Sequence, residues 1–97
     1  MVKRNILKEK SFTFALDIVH TYKLICNEHK EFTMSKQMLR SGTSIGANVR
    51  EAEYAQSKAD FIHKLPIALK EANETDYWLD LLSVRIFEPV RFRKYKS

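Results

Sequence analysis

Apolar residues recur along this chain at helical spacing, and the spacing predicts three helices. Phe12, Ala15, Val19, Tyr22 and Cys26 lie at steps of three and four, with Leu16, Ile18 and Ile25 widening the stripe. Ser11 stands where an N-cap would, so the first helix is expected from Ser11 to about Glu28. A polar stretch, Asn27 to Phe32, follows. Thr33 is the predicted N-cap of a second helix over 34–55, whose apolar positions are Met34, Met38, Ile45, Val49 and Ala52. Ser57 and Asp60 have near capping-box spacing and open a third helix. Its stripe is the longest: Phe61, Leu65, Ala68, Ala72, Thr75, Leu79 and Leu82. Ile62, Ile67, Leu69, Trp78 and Leu81 flank it, so this helix is expected to be covered on more than one side.

Two positions interrupt the pattern. Pro66 removes a backbone hydrogen bond and crowds the preceding turn, at about 3 kcal/mol. The heptad phase continues across it, so a kink near Ile62 to Pro66 is expected, not a break. Gly42 and Gly46 lie one turn apart in a stretch of small residues, Ser41 to Ala47. Glycine inside a helix costs about 1 kcal/mol relative to alanine. Its presence twice on one face predicts close helix packing. With helices two and three antiparallel about Gln56, Ile45 faces Ile67 and Ala68, Arg40 reaches Glu71, and the glycines face Pro66 to Lys70.

After Leu82 the character changes. Residues 83–97 have no helical stripe; Val90, Phe92 and Tyr95 alternate with charges, and Pro89 opposes a long helix. The organisation expected is a basic N-terminal segment (1–10), a helical domain (11–82) and an irregular basic C-terminal tail (83–97). Charge follows the same division. Lys3, Arg4, Lys8 and Lys10 against Glu9 give the first segment +3, while Arg85, Arg91, Arg93, Lys94 and Lys96 against Glu88 give the last +4. The net charge of +5 therefore sits in the two ends.

Composition narrows the function classes. The chain has 97 residues, with two glycines and two prolines, which suits one small helical domain with short loops. A domain of this size hides only about two-thirds of its unfolded surface, so self-association would add burial. Cys26 is the single cysteine, and a thiol without a disulfide partner suits a reducing cytoplasm. No apolar run reaches the ~20 residues that cross a bilayer, and the charged N-terminus lacks a signal-peptide core.

Two long motifs resemble the four-helix-bundle family associated with intervening sequences in bacterial 23S ribosomal RNA genes. One is Gln37 to Ala52, centred on Ser41-Gly42-Thr43-Ser44-Ile45-Gly46-Ala47-Asn48. The other is Ser57 to Leu65 with Ile67 to Leu82, ending Tyr77-Trp78-Leu79-Asp80-Leu81-Leu82. The resemblance covers about residues 11–82. It implies an all-α, antiparallel four-helix bundle that assembles into a homo-oligomeric ring, a pentamer. It defines no catalytic residues. Related proteins include the accessory variability protein of diversity-generating retroelements, a basic pentamer that binds nucleic acid and a reverse transcriptase. Pro66 departs from the small polar residue usual in the family. The stretch after Leu82 departs further, since the family continues into a fourth amphipathic helix. The abrupt change reads as a frameshift or truncation, leaving three clear helices, an atypical fourth segment and an apolar groove to be filled by the tail, by another subunit or by nothing, with subunit association the preferred reading.

Candidate chemistry is sparse. Glu71, Glu74 and Asp76 have no nucleophile nearby, and His20, His29 and His63 lack metal-ligand spacing, so no catalysis, metal, cofactor or small-molecule substrate is expected. Ser44, Asn48 and Glu51 lie one turn apart and suit a polar network locking helix two to its neighbours. Tyr77 and Trp78 suit core or subunit-interface packing over base stacking. A helix-turn-helix around Ser41-Gly42-Thr43 would need apolar residues where Asn48 and Glu51 stand. Lys36, Arg40, Arg50, Lys58 and Lys64 are candidate phosphate contacts for RNA or DNA, multiplied in a ring. The expected function is a cytoplasmic, non-enzymatic oligomeric scaffold, with nucleic-acid binding as the alternative.

Overall fold

The computed structural model describes the backbone of residues 2–87 and the side chains of residues 6–87. It contains three helices, α1 (Val2–His29), α2 (Thr33–Glu53) and α3 (Lys58–Phe87), and no strand among the described residues. The last turn of α3 carries the chain five residues past Leu82, so the predicted irregular tail is helical as far as Phe87. The remainder of that predicted tail lies outside the described residues.

Helix α1 starts well before Ser11. Lysine, leucine, glutamate and arginine, all good helix formers, fill the turns ahead of it. Ser11 is not a cap: it is buried, and its hydroxyl donates to the carbonyl of Lys8 at 3.1 Å. The inward face of α1 is also rotated by one residue from the predicted stripe. Ser11, Ile18 and Ile25 are buried, while Phe12 and Leu16 are exposed. Apolar residues surround α1 on nearly every side, so its own pattern selects no single face.

Lys30 ends α1 in the left-handed region, with φ of 53°. The next helix is capped by Glu31, not by Thr33. The Glu31 carboxylate accepts from the backbone N–H groups of Thr33 (3.3 Å), Met34 (3.1 Å) and Ser35 (2.8 Å). A negative charge there also meets the positive end of the helix dipole. Ser35 answers by donating its hydroxyl to the Glu31 carbonyl at 2.6 Å. At the other connection Ser57 behaves as predicted, its hydroxyl accepting from the Asp60 N–H at 3.1 Å. Helix α3 passes through Pro66 unbroken.

All seven residues of the α3 stripe, from Phe61 to Leu82, are buried or half-buried. The chief core cluster joins Ile18 and Ile25 of α1, Met38 of α2 and Leu82 of α3, with Tyr22, Leu39, Trp78 and Ile86 packed around it. Helix α2 is the middle member, packed along both α1 and α3, which scarcely approach each other. The result is long and thin, 53 × 25 × 19 Å. Its radius of gyration of 16.1 Å exceeds the roughly 12.5 Å of a compact domain this long.

Gly42 is a point of close approach, but its neighbour is α1, not α3. A methyl group there would lie 2.9 Å from both Cγ1 and Cγ2 of Ile18. Gly46 likewise faces α1, where the nearest atom to such a methyl is the Ser11 carbonyl oxygen at 3.5 Å. The predicted meeting of the glycines with Pro66 to Lys70 is therefore replaced by a tight α1–α2 seam.

Candidate interaction surface

Because α1 and α3 flank α2 without closing on each other, a groove stays open between them. At the end where α1 and α3 finish it widens to a cavity of about 330 Å³, lined by Leu24 and Ile25 of α1 and by Leu79, Leu82, Ile86 and Phe87 of α3. Its lining is mainly apolar, with Thr21, Glu28, His29 and Ser83 as the polar members. Leu7 and Phe14 continue the exposed apolar side of α1, while Ile62 and Leu69 do so on α3. Leaving one large aliphatic or aromatic side chain in water forfeits about 1.5–3 kcal/mol of burial. Such side chains beside an apolar cavity make this side of the molecule a candidate contact surface.

The seam between α2 and α3 is polar at its centre. Thr75 donates its hydroxyl to Ser41 Oγ at 2.9 Å, and Ser41 donates to the Gln37 carbonyl at 3.0 Å. At the edge of this seam Arg40 pairs with Glu71 at 3.5 Å, as predicted, and more closely with Glu74. Glu74 also accepts from the Trp78 indole N–H at 3.1 Å. The Trp78 hydrogen bond, helped by Arg40, holds the Glu74 carboxyl below the usual carboxylate range, and Glu74 in turn pushes the Arg40 guanidinium up. A hydrogen bond with Cys26 raises the Tyr22 phenol.

The predicted site residues separate into three groups. Ser44, Asn48 and Glu51 share a face of α2, and the hydrogen bonds that Ser44 and Asn48 make among the described residues run along that helix. Ser44 donates to the Arg40 carbonyl at 2.6 Å and Asn48 to the Ser44 carbonyl at 2.9 Å, both within the helix, while Glu51 is exposed. Among the described residues the buried polar side chains are Ser11, Ser35, Ser41 and Thr75. Their signal in the sequence was present: Thr75 falls on the apolar stripe of α3, where a polar residue must find a partner.

Tyr77 and Trp78 part company. Trp78 packs against the core, whereas Tyr77 is 56 % exposed and meets the Trp78 ring edge-on at 5.2 Å. Among the candidate phosphate contacts, Arg40 is tied to two glutamates and Lys64 pairs with Asp60 at 3.7 Å. Lys36 and Lys58 are exposed. Arg50 lies over the Phe12 ring, 5.5 Å from its centroid.

No group of three or more metal-ligating side chains gathers among the described residues. No helix among them is long and apolar enough to cross a membrane.

The model of the 23S rRNA-intervening sequence protein family matches residues 3–90. A crystal structure from Bacteroides thetaiotaomicron, described as a protein of unknown function from the S23 ribosomal protein family, aligns with a TM-score of 0.83 at 67 % identity. The alignment covers 88 % of this chain and 76 % of that one. No curated protein matches.

Proposed function

The chain belongs to the 23S rRNA-intervening sequence protein family, and from that premise we propose that it is a non-enzymatic, self-associating helical-bundle protein acting as an interaction scaffold. The observation that carries this reading is the open apolar groove between α1 and α3. Three antiparallel helices with α2 in the middle form three sides of a four-helix bundle. The fourth side is the groove, and subunit association covers it. A pentameric ring in the cytosol is the assembly we infer. Burying Leu24, Ile86 and Phe87 at subunit contacts stabilises the assembly by about 1.5–3 kcal/mol for each side chain fully covered.

Light scattering coupled to size exclusion tests the reading. The protein should elute as a single closed oligomer at micromolar concentration. The double substitution Leu24→Glu with Ile86→Glu should release subunits, because carboxylates in an apolar contact carry a steep desolvation cost. A monomeric wild-type protein would sink the proposal.

One observation favours nucleic-acid binding as a second activity. Arg50 is the candidate cation held against an exposed aromatic ring, and no carboxylate pairs with it among the described residues.

A further inference from the structure

We propose that Lys8, Phe12 and Arg50 form a binding site for single-stranded nucleic acid, with one phosphodiester held between the two cations and a base stacked at the ring. The proposal rests on the second reading above and is independent of how the subunits assemble.

Four residues from two helices, Lys8, Glu9 and Phe12 of α1 and Arg50 of α2, surround an open cavity of about 290 Å³ at the end of the molecule opposite the apolar groove. Lys8 and Phe12 lie one turn apart, so they share a face of α1. Helix α2 brings Arg50 across to them, with its guanidinium carbon 5.5 Å from the Phe12 centroid. The ring holds the guanidinium by cation–π attraction. Arg50 joins no ion pair among the described residues, so its N–H donors remain for oxygen acceptors.

Charge then selects the ligand class. Neither Lys8 nor Arg50 has a carboxylate within ion-pair distance among the described residues, in contrast to Arg40 and Lys64. With Glu9 also on the cavity wall, the lining carries two positive charges and one negative. The surplus of one matches a phosphodiester better than a terminal phosphate of nearly two charges. Glu9 adds an acceptor for a base amino group or a ribose hydroxyl. Phe12 is 51 % exposed, an apolar ring beside two cations. A ring so placed suits a base freed from its duplex, because stacking needs an accessible π face. A duplex keeps its bases out of reach.

Fluorescence anisotropy with a labelled oligouridylate tests the site, with circular dichroism confirming that each variant stays helical. The wild-type protein should bind, and the affinity should fall as salt rises. Phe12→Leu keeps an apolar side chain and should weaken binding about tenfold or more while leaving the salt slope unchanged. Lys8→Gln and Arg50→Gln should each lower the slope of log affinity against log salt by about 1. Lys70→Gln, at an exposed position of α3, should change neither. Absence of wild-type binding at low salt would overturn both the second reading and the site. Binding that survives all three site substitutions would overturn the site alone. Equal, Phe12-independent affinity for duplex RNA or polyglutamate would reduce the interaction to general attraction of polyanions and overturn the stacking assignment.

Discussion

Thr75 and Ser41 join α3 to α2 through a hydrogen bond of 2.9 Å between two hydroxyls, both almost fully removed from solvent. Each has a second partner on its own helix: Thr75 the Glu71 carbonyl at 2.8 Å, and Ser41 the Gln37 carbonyl at 3.0 Å. Removing one hydroxyl therefore leaves the other satisfied. Thr75→Val and Ser41→Ala should each cost about 1 kcal/mol, the net value of one neutral hydrogen bond. The double variant should cost less than the sum, since the second substitution has no cross-helix bond left to break. Urea titration of the four proteins gives the coupling energy, and strict additivity would show that the bond contributes nothing.

The two glycines of α2 should respond in opposite directions to alanine. At Gly42 the added methyl meets Ile18, a buried, β-branched side chain whose contacting carbons sit next to its backbone and cannot swing away. Gly42→Ala should therefore destabilise by about 1–3 kcal/mol, the usual cost of overpacking. At Gly46 the same methyl reaches ordinary contact distance. Gly46→Ala should stabilise by about 0.5–1 kcal/mol through helix propensity alone. Thermal unfolding followed by circular dichroism distinguishes the pair.

Lys30 occupies a backbone conformation that a side chain disfavours, at φ 53°. Helices commonly end on glycine in this conformation because glycine has no Cβ to clash. Lys30→Gly should raise stability by up to about 1 kcal/mol, and Lys30→Val should lower it. A melting temperature that falls for the glycine variant would contradict the assignment of this residue as the terminator of α1.

The Glu74 carboxyl connects acidity to the α2–α3 seam. Its pKa is lowered first by the Trp78 N–H and then by Arg40. A depressed folded-state pKa contributes stability that is fully present above the ordinary glutamate value, about 4.3. That contribution is lost as pH falls through the lower, folded value. Unfolding midpoints should therefore decline below about pH 4.3 in the wild type and less steeply in Glu74→Gln. Trp78, the single tryptophan, supplies the fluorescence signal. Identical acid profiles for the two proteins would remove the role.

Much of the fold was legible along the chain, and the α3 stripe shows why. A residue every three or four positions defines a face by covalent geometry alone, and the face from Phe61 to Leu82 is the one that packs. The Ser57 cap and the Arg40–Glu71 pair were legible for similar reasons of local spacing and charge. The cap of α2 was misread because a glutamate two residues upstream outreaches the threonine at the boundary. The inward face of α1 was misread by one residue because apolar side chains surround that helix. The proposed nucleic-acid site was legible only in part: Arg50 stood out as a cation, but its meeting with Phe12 and Lys8 joins residues about forty positions apart in sequence.

The sequence by itself determined the three helices of the described residues and which face of α3 turns inward, since propensity and periodicity act over a few residues. Only the tertiary structure decided that Gly42 rests on Ile18, that Thr75 finds Ser41, and that α1 and α3 leave a groove between them. Those outcomes depend on how side chains from separate helices compete for the same space, and no single stretch of chain contains that information.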